Sequence, residues 1–175
     1  NPQPDAVADN VALLRQGVAL VARLGAQSFT GVSEHCPGGS VGAHVRHWLD
    51  FYVAFLDGVT EGRIDYDARK RDAELETVPA RALRVLEEIA TRLHALRAAD
   101  RDAPLLVRGD GSAHGEGVWT RSSIGRELQF LVSHTIHHFA LIGFMLRASG
   151  HAVDARFGVA PSTARHWEST GARAS

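Results

Sequence analysis

The stretch Ser133-His134-Thr135-Ile136-His137-His138-Phe139-Ala140-Leu141 decides how this chain is read. It lies inside a longer run, from Ser122 or Ser123 to Arg147, in which Ile124, Leu128, Leu131, Thr135, Ile142 and Met145 recur at the spacing of one helical face. Residues four apart sit one turn apart on that face, so His134 and His138 can direct nitrogen lone pairs at a single divalent ion. Both fall within the stripe of Leu131, Leu141 and Met145, which turns their rings toward the protein interior. Burying an imidazole costs roughly 1–3 kcal/mol unless its nitrogens find partners, and a metal with a hydrogen bond behind it satisfies both nitrogens at once. The plainer reading is a pair of core histidines bonded to backbone carbonyls.

A second cluster, Ser40-Val41-Gly42-Ala43-His44-Val45-Arg46-His47-Trp48-Leu49-Asp50, is also helical in pattern and far enough upstream to form a different helix. His44 shares a stripe with Trp48, Phe51 and Phe55, while His47 sits beside it above Ala43, Ala54 and Gly58. Helix geometry alone does not choose between them as a third ligand; the other would stand behind the site or face a substrate. His137 projects about a hundred degrees away from His138 and is expected off the ligand face. His35, His94, His114, His151 and His166 read as solvated surface residues.

Working outward, the first helix is expected from about Asp5 to Leu24, with Val7, Val11, Leu14, Val18 and Val21 inward and Gly25 as its stop. A Gly/Pro-rich linker with Cys36, Pro37, Gly38 and Gly39 leads to Ser40, the expected N-cap of a second helix running to about Leu56 or Asp57. Gly58 and Gly62 end it. Residues 63–76 read as a long loop or a short helix. A third helix starts after Thr77 with Pro79 in its first turn and carries Leu83, Leu86, Ile89, Leu93 and Leu96. Residues 104–108 and 117–120 flank Gly111 and Gly115 and suggest a short hairpin before the fourth helix, which Gly150 closes. The tail Phe157-Gly158-Val159-Ala160-Pro161-Ser162-Thr163 has too few apolar residues for a fifth long helix and is expected to pack across the bundle. The fold class expected is all-α, one domain over 1–175, a four-helix bundle with a hairpin-like connection between the third and fourth helices.

Composition narrows the function. The 19 Lys and Arg nearly balance the 20 Asp and Glu, so the basic excess that drives nucleic-acid binding is missing. One cysteine, Cys36, excludes an intramolecular disulfide or a thiolate-rich zinc site and suits a reducing compartment. No apolar run is read as membrane-spanning, and the expected location is the cytoplasm.

Four segments together resemble the DinB-like superfamily: 40–47; Tyr66-Asp67-Ala68-Arg69-Lys70-Arg71-Asp72; Ser122 to Leu128 leading into His134-Thr135-Ile136-His137-His138; and the tail 157–163. The likeness is to a bacterial branch of that family and covers most of the chain. It implies a four-helix bundle that holds a divalent metal through one histidine of the second helix and two of the fourth. The family's second-helix ligand falls seven positions after the helix-opening Ser or Thr, which selects His47; His134 and His138 match the other pair. Relatives include thiol S-transferases using mycothiol or bacillithiol, a maleylpyruvate isomerase, and bundle domains of iron-dependent sulfoxide synthases. This chain has Ala140 where the synthase pattern has a glutamate, and His134 where the mycothiol isomerase pattern has one.

Three imidazoles leave an ion with open positions, a mark of catalysis or ligand binding. The first expectation is a zinc, nickel or iron transferase or hydrolase of a small-molecule electrophile, activating water or a low-molecular-weight thiol. Its expected ligands are His47, His134 and His138, with His44, Tyr66 and Arg69 as further catalytic candidates. The cationic run Arg69, Lys70, Arg71 with Tyr66 would receive an anionic substrate or thiol at the bundle mouth, or is simply a solvated loop. An iron(II) oxidative enzyme and a non-catalytic metal-binding or dimerisation module are the alternatives. A homodimer is expected, without nucleic-acid or membrane partners. Arg46 with Asp50, and Arg126 with Glu127, read as surface pairs.

Overall fold

The structure, a computed structural model, describes residues 5–33, 39–109 and 117–171. The fold is mostly helical, with a small three-stranded sheet. Four long helices, α1 (Ala6–Arg23), α3 (Val41–Gly58), α5 (Pro79–Ala95) and α6 (Ile124–Ala148), surround one core. Each of α1 and α3 packs against both α5 and α6. Among the described residues there are also three shorter α-helices, α2 (Ala26–Thr30), α4 (Glu74–Thr77) and α7 (Pro161–Thr170), and two 3-10 turns, Val59–Glu61 and Leu96–Ala98.

Local chemistry sets the helix ends. The Asp5 carboxylate accepts from the Val7 and Ala8 backbone N–H groups at 3.1 and 3.2 Å, Ser40 Oγ accepts from Ala43 N–H at 3.0 Å, and Ser123 Oγ accepts from Arg126 N–H at 3.3 Å. Pro79 opens α5, where its missing N–H is no loss. α3 runs through Gly58 rather than stopping before it, and a side chain there would meet the Arg63 carbonyl oxygen at 2.3 Å, an approach that only glycine allows.

The strands differ from expectation in two ways. Residues 63–76 contain a strand, β1 (Arg63–Asp65), as well as the helix α4. β1 pairs in parallel with β2 (Pro104–Arg108), which pairs antiparallel with β3 (Thr120–Ser123). The hairpin's second strand therefore lies three residues later than 117–120, because Ser122 and Ser123 extend the ladder up to the first turn of α6. Cys36 and the turn around Gly111 and Gly115 lie outside the described residues, as do His35 and His114.

The linker after Gly25 also holds α2, whose Phe29 is fully buried. In the tail, Phe157 stacks on Phe139 of α6, ring centroids 4.6 Å apart, but α7 buries no residue. By length and composition α6 is long and apolar enough to cross a membrane, contrary to the expectation that no run is. Its buried face, with Leu128, Leu131, Phe139, Ile142 and Met145, lies in the helical core.

Candidate metal centre

The rotation of α3 is fixed by the aromatic side chains it buries, Trp48, Phe51, Tyr52 and Phe55. That of α6 is fixed by the leucines and phenylalanine around Thr135 and by a buried polar link. Tyr52 O–H donates to Asn10 Oδ1 at 2.6 Å, the Asn10 amide donates to the Leu128 carbonyl at 3.0 Å, and Thr135 Oγ1 lies 3.2 Å from Tyr52 O–H. With α1, α3 and α6 so locked, His47, His134 and His138 meet: one nitrogen of each lies within 4.8 Å of the others. Their ring centroids are 4.7 to 5.2 Å apart.

His138 Nε2 and His134 Nε2 lie 3.2 Å apart. Two imidazole nitrogens bound to one tetrahedral zinc at 2.0–2.1 Å would stand about 3.3–3.4 Å apart. The observed separation thus matches an edge of a coordination polyhedron, and three imidazole nitrogens suit zinc, nickel or iron(II). On its other side, His138 Nδ1 lies 3.1 Å from His44 Nδ1. His138 is buried, and burial first, then the neighbouring imidazoles of His134, His47, His44 and His137, holds its pKa down to about 2. Burial, then His137, lowers that of His44 as well. The cluster is therefore neutral near pH 7 at His138, as a ligand must be.

His137 is exposed, as its rotation off the ligand face implies, and His94, His151 and His166 are exposed too. His44 stands behind His138.

Beside His134 opens a cavity of about 530 Å³ whose lining includes Phe51, Tyr66, Phe130, Arg126 and Glu127. Phe51 and Phe130 flank the His134 ring at centroid distances of 4.1 and 5.6 Å. Tyr66 is buried, its hydroxyl donating to Glu127 Oε2 at 2.9 Å, while Ser122 Oγ donates to Glu127 Oε1 at 2.5 Å. Burial, reinforced by the Glu127 charge, pushes the Tyr66 phenol well above its ordinary value, so it stays protonated.

Arg69 is elsewhere. Its guanidinium lies 4.0 Å over the Phe51 ring, donates to the Tyr66 carbonyl, and with Lys70 lines a second cavity of about 440 Å³ that includes Asp50, Asp57, Asp65 and Asp72. Tyr66 lines the first cavity and Arg69 and Lys70 the second, with Arg69 packed on the Phe51 ring that lines the first.

Both expected surface pairs need correction. Arg46 does reach Asp50, at 3.9 Å, and Glu76 at 3.0 Å, but Asp50 is buried, and burial pushes its carboxyl up to about 6. Glu127 is buried under Tyr66 and Ser122 instead of pairing with Arg126. The spacing Glu127 to His134, two turns on one helical face, was the signal that places this carboxylate beside the site.

No protein-family model matches the chain, and no solved structure matches it. Among curated proteins, an FK506-binding protein 5 of Rhizopus delemar is 31% identical over 104 residues, 59% of this chain and 27% of that protein. The chain thus spans about a quarter of that relative's length, and the likeness assigns it no family.

Proposed function

We propose that the protein is a divalent-metal-dependent enzyme on a DinB-type four-helix bundle, with His47, His134 and His138 as ligands, acting on a small-molecule electrophile by transfer or hydrolysis. The observation that carries this reading is the convergence of those three imidazoles, two of their Nε2 atoms 3.2 Å apart, with His134 also lining a cavity large enough for a small molecule. A divalent ion held there supplies Lewis-acid chemistry, making a thiol or water a nucleophile near neutral pH and polarising an electrophile.

The chain's own residues prepare that chemistry. With the His138 proton on Nδ1, donated to His44 Nδ1, the Nε2 lone pair faces the other ligands. His44 is in this reading a positioning residue. Phe51 and Phe130 pack against the His134 ring, and Glu127, held by two hydroxyl donors, gives the far end of the cavity a fixed polar group.

Elemental analysis of protein purified without a histidine tag tests the reading. About one divalent ion per chain is expected. Zinc or nickel supports thiol or water activation; iron with oxygen-dependent turnover moves the assignment to an oxidative enzyme. Failure to bind any of these metals more tightly than about millimolar after repletion overturns it.

A further inference from the structure

The cavity beside His134 has a polarity that runs along α6. His134, Phe130 and the pair Arg126 and Glu127 follow one another down the helix, and the seven residues from Glu127 to His134 span about 10 Å at 1.5 Å per residue. At one end lies the imidazole cluster. The middle is aromatic: Phe51, Tyr66 and Phe130, with ring centroids 5.0 to 5.8 Å apart, pack on one another and line the cavity as one apolar wall. At the other end is a cation, Arg126, which is exposed and forms no salt bridge among the described residues. The nearest carboxylate along the chain, Glu127, is turned away into hydrogen bonds with Tyr66 and Ser122. Its charge is thus partly spoken for, while Arg126 lines this cavity and also a neighbouring one that includes Asp9 and Asp102.

We infer that this cavity binds a small carboxylate with a flat, apolar and typically aromatic body, its carboxylate at Arg126, its body against the wall of Phe51, Phe130 and Tyr66, and its other end toward His134. The inference names the substrate class of the proposed metal site and rests on that reading for its catalytic meaning. Its binding chemistry does not need the metal. Guanidinium and carboxylate form paired, charge-assisted hydrogen bonds, and aromatic walls favour a flat ring over a branched chain.

The probes are 3-phenylpropionate and its uncharged counterpart 3-phenylpropan-1-ol, titrated by calorimetry and by ligand-observed NMR into the full chain, both metal-free and zinc-loaded. Metal-free protein is expected to bind the carboxylate roughly five- to tenfold more tightly than the alcohol, and Arg126→Gln is expected to abolish that preference while leaving the alcohol unchanged. Phe130→Leu should weaken both probes alike. Equal binding of the two probes by the wild type, or a carboxylate preference that survives Arg126→Gln, overturns the inference. So does carboxylate binding seen only in zinc-loaded protein and indifferent to Arg126→Gln, which places the carboxylate on the metal. A charge preference that depends on Arg126 in a protein that takes up no metal keeps the pocket assignment and removes the metal reading, so the two fail separately.

Discussion

His44 Nδ1 lies 3.1 Å from His138 Nδ1, so the second imidazole of α3 meets the buried histidine of α6 on the side away from the Nε2 that faces His134. One ring nitrogen of His138 is thereby matched to a partner on its own protein, and the other is turned toward the cluster. The contact holds the ring plane, and where His138 Nδ1 is the donor it leaves the Nε2 lone pair turned toward His134.

Removing that contact gives the first prediction. His44→Ala should weaken zinc binding by roughly tenfold, and His44→Asn, whose Oδ1 can accept where Nδ1 does, should recover most of the loss. Chelator competition reads both. Unchanged affinity in His44→Ala, accompanied by lost turnover, would instead put His44 against the substrate.

The ligand set is tested residue by residue. His47→Ala, His134→Ala and His138→Ala should each lower metal affinity at least about tenfold, whereas the exposed His137 should be replaceable by Ala with little effect. If His137→Ala emptied the site while His138→Ala left it filled, the face of α6 assigned to the metal would be wrong.

In metal-free protein, pH should act through His138 and Asp50 with opposite signs. The His138 pKa falls from 6.5 to about 2 on folding, so its contribution to stability is intact above pH 6.5 and is lost as the pH drops from there toward 2, with a limiting slope of about 1.4 kcal/mol per pH unit. The Asp50 pKa rises from 3.8 to about 6, so its contribution is complete below 3.8 and is lost as the pH climbs through 6. Denaturant midpoints between pH 5 and 8 should show Asp50→Asn gaining on wild type as pH rises, and His138→Gln flattening the acid side. An Asp50→Asn advantage that shrank with rising pH would contradict the burial argument.

Tyr52→Phe removes the donor that satisfies Asn10 Oδ1 in a fully buried setting. The orphaned amide oxygen should destabilise the fold by about 1–3 kcal/mol in urea unfolding. Metal affinity should change little, since the tyrosine touches none of the three ligands in its hydrogen bonds. A neutral substitution would mean that the link between α1, α3 and α6 is dispensable.

Gly42 tests how α3 is seated. A Cβ there would meet the Glu76 carbonyl oxygen at 2.1 Å and the Phe29 ring at 2.8 Å, so Gly42→Ala should destabilise by at least about 1–3 kcal/mol and disturb metal binding through His47. Gly25→Ala, with nothing within 4 Å, is the control and should be silent in both thermal melts and metal titrations.

The sequence by itself determined the long helices and one half of the site. Apolar residues at steps of three and four marked α1, α3, α5 and α6 to within a few residues, Ser40, Ser123 and Pro79 marked their starts, and the i, i+4 spacing put His134 and His138 on one face. These are local properties, set by the pitch of a single helix. Only the tertiary structure decided the rest. On α3, pattern left His44 and His47 open; the rotation imposed by Trp48, Phe51 and Tyr52 against the other helices carries His47 to the cluster and His44 behind His138. Likewise β1 has only three residues and gains its meaning from pairing with β2, forty-odd positions away. Glu127 and Asp50 read as ordinary surface charges because a carboxylate looks the same in sequence whether water or protein covers it. What covers them here, the Tyr66 ring and hydroxyl for Glu127 and the loop carrying Asp72 for Asp50, comes from segments folded back over α6 and α3, a fact of distance in space that no helical period encodes.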